Sequence, residues 1–398
     1  MIEIDGSYGE GGGQILRTAL SLSCLFKKPF RIFNIRKGRK KPGLMPQHLT
    51  CVRAAQLLSN AEVKGDQTGS TELLFLPGEV KGGDFFFDIG TAGSTSLVLQ
   101  ALIPALVFSR GVEIPFKDSM ENENPPQSPF AKGGLRGITG KVGDGGLLKQ
   151  KSTITLKGGT HVHFSPCFHY LAGVFANFLK KIGIEIRLTI ESYGFYPKGG
   201  GKVRAEIFPA KHVKPLNIME RGNILRLSGY SGVGNLPLSI AERQRSALLK
   251  SLMTHGFTEE QLVIPHCPPL AEGGEGGFDI ELLNVSTPGQ GTFIFLKSES
   301  ENSIAGFTSL GERGKRAETV GEDAAMEFLQ YYSTDAALDS HISDQIVLYL
   351  SICKEESVFT TSCITQHLMT NLWVIGLFHE FRYSIEGEIG KSGIVRIN

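Results

Sequence analysis

The sequence lacks the features that mark several large classes of protein. Its six cysteines are scattered and none forms a Cys-x-x-Cys pair, so they predict neither a zinc site nor a small disulfide framework. No apolar run approaches the ~18 residues of a membrane span, and the start, Met1-Ile-Glu-Ile, has no charged and apolar leader. The net charge is only +1. We therefore expect a cytoplasmic protein without membrane contact. Any binding of nucleic acid would use a local basic patch rather than the overall charge.

The common nucleotide-binding signatures are also missing. No Gly-Lys-Ser/Thr follows the glycines, and the glycine runs lack the GxGxxG spacing. Three histidines, His161, His163 and His169, have ligand-like spacing, but no carboxylate or cysteine completes a zinc set. Phosphate-loop and Rossmann enzymes are therefore not indicated.

Glycine is abundant, with 49 residues, and its first cluster is the most informative. Residues 9–13 read Gly-Glu-Gly-Gly-Gly, which places Glu10 inside a run of bare backbone N–H groups, and Gln14 follows directly. Such loops bind anions. Five basic residues lie between Arg36 and Lys41. One carboxylate among phosphate-binding groups suggests metal-assisted phosphoryl chemistry on a nucleotide or nucleic acid.

A short strand, a turn of small residues and an apolar helix recur four times along the chain, beginning near residues 2, 85, 153 and 357. This repetition predicts an α+β fold with internal pseudo-symmetry. Two segments interrupt it. Residues 118–150 are rich in glycine, proline and charge, which predicts a flexible insertion, and residues 217–309 read as a small α+β domain set into a catalytic domain of residues 1–216 and 310–398.

His367 is the strongest candidate for catalysis. It lies early in a predicted helix, where the positive helix end favours a neutral imidazole and also attracts phosphate. Such a ring can attack the α-phosphorus of a nucleotide. From spacing alone, a histidine that only caps or packs the helix start explains the residue equally simply.

Other polar residues have both a structural and a functional interpretation. Asp344 begins an apolar helix and either compensates its N-terminal charge or holds a metal ion or nucleotide hydroxyl. Gln100 lies in an otherwise apolar helix, and its amide forms hydrogen bonds either with backbone groups or with a ligand. Arg17 either forms a surface pair or clamps phosphate.

Taken together, these motifs resemble the RNA 3′-terminal phosphate cyclase family from residue 1 to the C-terminus. The matching blocks are residues 10–17, 36–43, 47–50, 93–100, 194–201, 344–345 and 367–371. The resemblance implies repeated units of two helices and a four-stranded sheet, the architecture shared with enolpyruvyl transferases, with a smaller inserted α+β domain. It also implies a ligase-type enzyme that uses ATP to convert an RNA 3′-phosphate into a 2′,3′-cyclic phosphodiester, through adenylylated histidine and RNA intermediates.

Residue by residue, the resemblance makes His367 the nucleophile. It implies ATP contacts from Gln100, Pro166, His341, Ile342, Ser343, Asp344 and Gln345. It implies contacts with phosphate and the RNA end from Arg17, Arg36, Arg39 and Gln47, and a Mg²⁺ or Mn²⁺ ion near Glu10. Two departures are noted: residues 118–150 are not expected in the family pattern, and His341 occupies a position that is often Tyr.

Two alternatives stay open. A non-catalytic relative of the same fold would bind RNA as a ribosome-assembly scaffold, but it would lack the histidine. An enolpyruvyl transferase would need neither that histidine nor the basic cluster. The sequence does not indicate the oligomeric state.

Overall fold

The computed structural model describes residues 1–109, 138–142, 151–257 and 279–398. Within them the chain builds three copies of one unit, β-α-β-α-β-β, and a fourth sheet of different order. This arrangement confirms the predicted α+β class with repeated two-helix, four-stranded units.

The first unit is formed by the N-terminal quarter of the chain. Its strands alternate buried and half-buried residues, as in Phe30-Arg-Ile-Phe33, because one face of the sheet is covered by the helices. Its elements are β1 (Ile2–Asp5), α1 (Gln14–Phe26), β2 (Phe30–Phe33), α2 (Pro46–Ser59), β3 (Glu62–Lys64) and β4 (Leu73–Leu76).

The second unit carries an additional edge strand. Its elements are β5 (Gly83–Asp88), α3 (Thr95–Val107), β6 (Ile138–Val142), β7 (Ser152–Gly158), α4 (Phe168–Tyr170), a π-helical turn (Leu171–Phe175), α5 (Ala176–Lys181), β8 (Ile186–Ser192) and β9 (Gly201–Ile207). Strand β6 pairs antiparallel with β5. These five residues lie in the segment predicted to be a flexible insertion, so that expectation does not hold for them, and the rest of 118–150 lies outside the described residues.

The third unit closes the chain. Its elements are β10 (Asn217–Ile218), α8 (Ser340–Leu350), β15 (Ser357–Thr361), α9 (Gln366–Phe378), β16 (Tyr383–Glu386) and β17 (Gly393–Ile397). The sheet order, β10-β15-β17-β16, repeats the order β1-β2-β4-β3 of the first unit and β5-β7-β9-β8 of the second. In each unit the first two strands are parallel and the other pairings antiparallel.

The inserted domain lies between β10 and α8, inside the third unit. Its elements are β11 (Ile224–Gly234), α6 (Ser239–Thr254), β12 (Asp279–Asn284), β13 (Gly291–Ser300), β14 (Ile304–Leu310) and α7 (Ala317–Tyr332), with sheet order β12-β11-β13-β14. Its core is separate from the main one and includes Leu248, Phe307 and Phe328. Because α7 packs on this sheet and β10 pairs with β15, the domain spans 224–332 rather than the predicted 217–309.

Aromatic residues dock the inserted domain onto the second unit. His169 lies against Tyr230 and Phe293, and His161 lies 4.3 Å from Phe293 between ring centroids. Burial lowers the pKa of both histidines. Their ligand-like spacing therefore reflects packing in an aromatic cluster.

Two further features bear on the class of protein. Cys24, Cys51, Cys167 and Cys353 are buried free thiols, whereas Cys363 is half-buried and Cys267 lies outside the described residues. No helix in the described ranges is long and apolar enough to cross a membrane.

The crossing of α6 and α7 generates a stability prediction. Gly321 lies at this crossing, and a Cβ there would come within 2.1 Å of the Gln244 carbonyl oxygen and 2.9 Å of the Leu248 nitrogen. Alanine normally stabilises a helix interior relative to glycine, but overpacking costs more than that gain. We expect Gly321→Ala to lower the free energy of unfolding by about 1–3 kcal/mol, measured by denaturant titration.

Gly376 provides the matched control. It lies in α9, is exposed, and a Cβ there would meet nothing closer than 3.9 Å. Gly376→Ala should leave stability unchanged or raise it by about 0.5–1 kcal/mol. Equal effects of the two substitutions would contradict the helix-crossing explanation.

Candidate active site

The candidate residues lie at the starts of six helices, two from each repeated unit. A helix that follows the first or second strand of a parallel pair begins beyond the carboxyl end of that strand. The repeated topology therefore places the N-termini of α1, α2, α3, α4, α8 and α9 at corresponding edges of three sheets. Exposed N–H groups and helix dipoles favour an anion at each of them.

His367 meets the glycine-rich loop at the start of α9. Its Nδ1 lies 2.8 Å from Glu10 Oε2 and is also hydrogen bonded to Gln14 Oε1. A carboxylate can only accept a hydrogen bond, so in the neutral ring the proton lies on Nδ1 and the lone pair on Nε2. The structure thus brings His367 against Glu10 and Gln14 from the other end of the chain, and the second ring nitrogen is left available as a nucleophile.

Glu10 is fixed from both sides. Its Oε1 accepts a hydrogen bond from Arg39 Nη2 at 2.7 Å, while Oε2 faces His367. The hydrogen bond with His367 lowers the pKa of Glu10 to about 2, together with Arg39 and against the opposing effect of burial. Glu10 is therefore ionised at neutral pH and orients the imidazole.

Packing holds the glycine loop against α9. The ring of Tyr8 stacks on Trp373 with centroids 3.9 Å apart. Gly9 has a φ of +56°, and a Cβ there would lie 2.6 Å from Thr370 Oγ1. The close approach requires glycine, and it sets the position of the neighbouring Glu10.

Arg17 and His48 lie behind the glycine loop. A Cβ on Gly13 would lie 2.3 Å from His48 Nε2 and 3.0 Å from Arg17 Nη1, so the bare backbone is in contact with both. His48 Nδ1 accepts the backbone N–H of Met45 at 3.1 Å, which leaves the proton on Nε2. Burial lowers the pKa of His48 to about 3, aided by Arg17 and Arg36, so its ring is a neutral donor.

The other predicted phosphate contacts have partly structural roles. Arg36 has a φ of +53° and donates from Nη1 to the carbonyls of Lys41 and Gly43, which closes the basic loop. Gln47 accepts the backbone N–H of Ser94 at 2.9 Å and so joins the starts of α2 and α3. Arg39 is the residue of this set in direct contact with Glu10.

Asp339 organises the start of α8. One of its oxygens accepts hydrogen bonds from the backbone of His341 and Ile342, both at 2.9 Å, and from the Tyr170 hydroxyl at 2.7 Å. Burial raises the pKa of Asp339. This carboxylate links the helix starts of the second and third units.

Asp344 and His341 are titratable groups on the first turns of α8. Burial raises the pKa of Asp344 to about 6. The hydrogen bond that Thr365 Oγ donates at 2.6 Å and the nearby His367 both lower this pKa, but burial outweighs them. Desolvation opposes ionisation of His341, but Glu327 at 3.3 Å outweighs it and raises the pKa of His341. The imidazole is 55% exposed, so solvent screens this ion pair and it contributes little to stability.

Two glutamines predicted to contact ATP have unsatisfied polar atoms. Gln100 Nε2 and Gln345 Oε1 are buried and have no hydrogen-bond partner among the described residues. Buried amides are nearly always paired, so both are suited to a ligand. Pro166 is half-buried, two residues before α4.

Ile342 and Ser343, also predicted to contact ATP, have buried side chains. Ile342 is fully buried, and the Ser343 hydroxyl donates to the Asp339 carbonyl and lies 2.7 Å from Thr361 Oγ. Their side chains face the core because α8 turns them away from its exposed side. They support the site but are not exposed to it.

A cleft of about 530 Å³ adjoins the starts of α8 and α9. Its lining includes Phe307, Asp339, His341 and Cys363. The volume lies in the range of small-molecule sites, about 300–1,000 Å³. His341 thus lines a cleft, whereas the catalytic histidine candidate lies on the helix beside it.

The expected metal site has no ligand set of its own. In the part of the chain that the structure describes, no three His, Cys, Asp or Glu side chains are grouped to hold an ion. Oε1 of Glu10 pairs with Arg39, and Oε2 lies 2.8 Å from His367 Nδ1 without a well-aligned hydrogen bond. The residues present therefore do not form a metal cage at Glu10.

Sequence reasoning missed several residues that build the site. His48, Thr365 and Asp339 were not singled out, although each lies in or next to the first turn of a helix that also carries a predicted contact. Polar residues at helix starts behind glycine or basic clusters are the signal that would have found them.

The chain is similar to known proteins over nearly its whole length. The family model described as RNA 3′-terminal phosphate cyclase matches residues 8–138 and 146–385. Most of residues 118–150 lie inside this match, contrary to the expectation that they depart from the family pattern.

Similar proteins of nearly equal length carry the same name. A Sulfolobus acidocaldarius RNA 3′-terminal phosphate cyclase is 41% identical and covers 97% of both chains. Relatives of that name from Ignicoccus hospitalis and Pyrococcus furiosus are 39% and 38% identical over 100% of this chain and 98% of their own.

The family match and the relatives define an enzyme built from repeated α+β units. The chain belongs to the RNA 3′-terminal phosphate cyclase family. This confirms the family and the enzyme class predicted from the sequence.

The raised pKa of Asp344 makes folding stability depend on pH. The carboxyl has a usual pKa of 3.8 and a folded value of about 6, so its stabilising contribution is complete below pH 4 and is lost as pH rises toward 6 and above. We expect the unfolding free energy of the wild type to fall by up to about 3 kcal/mol more than that of Asp344→Asn between pH 4 and 7.5.

Denaturant titrations of both proteins at several pH values measure this difference. Asparagine keeps an oxygen that accepts the Thr365 hydrogen bond, so the comparison isolates the charge. Parallel stability profiles for the two proteins would contradict a raised pKa at Asp344.

Proposed function

We propose that the protein is an ATP-dependent RNA 3′-terminal phosphate cyclase that works through an adenylylated His367. The observation that carries the proposal is the environment of His367. Glu10 and Gln14 contact Nδ1 at the start of a helix, which leaves Nε2 as the ring nitrogen free to act as the nucleophile, and Arg39 contacts Glu10. This combination suits attack on a phosphate and stabilisation of the product.

In the first step, the Nε2 lone pair attacks the α-phosphorus of ATP. The bond from that phosphorus to the bridging β-oxygen breaks, and pyrophosphate leaves with the electron pair. The imidazole ring becomes positive as the N–P bond forms. Glu10, ionised and in contact with the Nδ1 proton, stabilises that charge, as a carboxylate does behind a catalytic histidine.

In the second step, an oxygen of the RNA 3′-phosphate attacks the same phosphorus. The N–P bond breaks, which restores neutral His367 and leaves AMP joined to the RNA end through a pyrophosphate. The neighbouring 2′-OH then attacks the RNA phosphorus, its proton passes to solvent, and AMP departs as the ring closes. Because the ribose itself holds the 2′-OH beside the phosphorus, proximity supplies much of this step.

The basic residues around the glycine loop suit the phosphates of both substrates. Arg17, Arg39 and the neutral donor His48 surround Gly13 and Glu10, and the starts of α1 and α9 add backbone N–H groups. Such preorganised donors are the main means by which proteins accelerate phosphoryl transfer. A divalent ion would be bound chiefly by ATP phosphate oxygens, as Mg²⁺ commonly is.

The alternative of a non-catalytic RNA-binding scaffold is less favoured. A scaffold has no need for an imidazole whose Nδ1 is held by two acceptors or for buried glutamine amides left unpaired. These features suit a site that binds and activates a nucleotide.

The role of the 2′-OH gives a direct test of the reaction. With ATP and a divalent ion, a 3′-phosphorylated RNA should become resistant to phosphatase with release of AMP and pyrophosphate. The same RNA with a terminal 2′-deoxyribose should accumulate the adenylylated end, because only ring closure needs the hydroxyl. Cyclisation without ATP, or an absence of any product from either RNA, would contradict the proposal.

A substitution at Gly13 tests whether the bare backbone of the glycine loop is needed to position His48 and Arg17. Gly13→Ala must displace His48 or Arg17, because its Cβ would lie 2.3 Å and 3.0 Å from their nitrogens. Displacements of this size cost on the order of 10²-fold in rate. We expect that loss in the rate at which radiolabelled ATP modifies the protein, measured in single-turnover reactions.

Gly38→Ala is the matched control from the neighbouring basic loop. A Cβ at Gly38 would meet no atom within 4 Å. This variant should keep the wild-type rate, and a similar loss in both variants would show that the effect at Gly13 is not steric.

A further inference from the structure

The second glycine triplet, Gly199–Gly201, has no role in the chemistry proposed above. It lies in the loop between β8 and β9 and packs on the turn that precedes α3. A Cβ on Gly199 would lie 2.7 Å from both the Ala92 Cα and the Thr91 carbonyl oxygen. Gly93, in the same turn, is close to the Gln47 side chain, because a Cβ on Gly93 would lie 3.1 Å from the Gln47 Cβ. The loop is therefore continuous with the predicted RNA-end contacts.

Two aromatic rings project into solvent from neighbouring loops, one of which carries this triplet. Tyr196 is 72% exposed and Phe164 is fully exposed. Their loops are held together because the backbone N–H groups of Thr160 and His161 both donate to the Gly194 carbonyl. The two rings thus lie on loops that are hydrogen bonded to each other at one edge of the second unit.

Phe164 is also strained. Its φ is +60°, in the left-handed region that bulky side chains rarely adopt. The ring is fully exposed to solvent, so no free energy of burial compensates for the backbone strain. Strained backbone that presents a side chain to solvent is typical of binding sites.

The charge of this edge suits a polyanion. The three segments that form it, residues 90–96, 158–166 and 193–203, contain no Asp or Glu. They contain Lys198, which is exposed, and Lys202, which pairs with Glu191. Exposed aromatic rings beside cations are how proteins bind unpaired nucleotides, since every base can stack and every nucleotide carries a phosphate.

We propose that Phe164, Tyr196 and Lys198 form a stacking platform for the unpaired nucleotides that precede the RNA 3′ end. The inference rests on the proposed function for the direction of the strand, which runs from the phosphate site past Gln47 and the turn at 91–93 to the platform. The enzyme accordingly favours single-stranded ends of several nucleotides over a single terminal nucleotide.

The test measures binding and cyclisation separately across a length series. Fluorescent RNAs of 2 to 10 nucleotides with a 3′-phosphate are titrated by anisotropy, and the same sequences are used as cyclisation substrates. For the wild type, affinity and kcat/KM should rise with length. In Phe164→Ala and Tyr196→Ala, the increase in affinity and in kcat/KM from the shortest to the longer RNAs should be smaller by roughly 5- to 100-fold. This is the usual effect of removing a stacking ring.

Conservative and remote variants separate stacking from general damage. Tyr196→Phe keeps a ring and should retain the length dependence, whereas Tyr196→Leu should lose it. Tyr383→Ala removes an exposed tyrosine from β16, away from the three segments, and should behave as wild type. Lys198→Ala should reduce the slope of log Kd against log salt by about 0.7, the value for one phosphate contact on a single strand.

The outcomes distinguish the two proposals. Cyclisation with a length dependence unchanged in the ring variants overturns the platform and leaves the cyclase function standing. Length-dependent binding that the ring variants lose, without cyclisation by the wild type, supports the platform and overturns the proposed reaction. Binding that does not vary with RNA length overturns the platform.

Discussion

Hydrogen bonds and one close contact join six helix starts in a closed ring, and this ring positions the residues around His367. Gln14 joins α1 to α9, the bond between Thr365 and Asp344 joins α9 to α8, and Tyr170 with Asp339 joins α8 to α4. Both Phe168 and Thr95 donate backbone bonds to residues 159–160, which joins α4 to α3. Gln47 joins α3 to α2, and the contact of His48 with Gly13 returns to α1.

The ring explains how a nearly neutral protein can build a phosphate site. The net charge is +1, so long-range attraction does not distinguish this surface from any other. What the fold supplies is local: oriented backbone N–H groups, arginines around a glycine loop, and a neutral histidine donor. Glu10 adds one negative charge among these groups. Its contacts with Arg39 and His367 hold the carboxylate beside the imidazole.

Much of the fold could be predicted from the sequence because its periodic parts are local. The four strand–turn–helix repeats follow from apolar spacing and glycine turns, and each of them begins with the first or second strand of a unit. The resemblance to a known family supplied the residue roles, which spacing alone left divided between capping and catalysis. His367 is an example. A histidine early in a helix has the same sequence pattern whether or not the Glu10 carboxylate contacts it in the folded protein.

The parts that the sequence could not predict depend on long-range packing. The boundary of the inserted domain was placed before α7, because nothing in residues 310–332 indicates which of two cores will bury that helix. The resemblance placed Ile342 and Ser343 among the ATP contacts, and it could not show that the turn of α8 points their side chains inward. The unpaired amides of Gln100 and Gln345 can be recognised only when their surroundings are known.

The most direct test of the account is to determine which atom of the protein becomes attached to AMP. The protein would be incubated with ATP and a divalent ion without RNA, digested under conditions that preserve N–P bonds, and examined by mass spectrometry and phosphorus NMR. The account predicts AMP on Nε2 of His367, since Glu10 and Gln14 occupy the Nδ1 side. AMP on Nδ1, on a lysine or on no residue would contradict the claim that the held imidazole is the nucleophile.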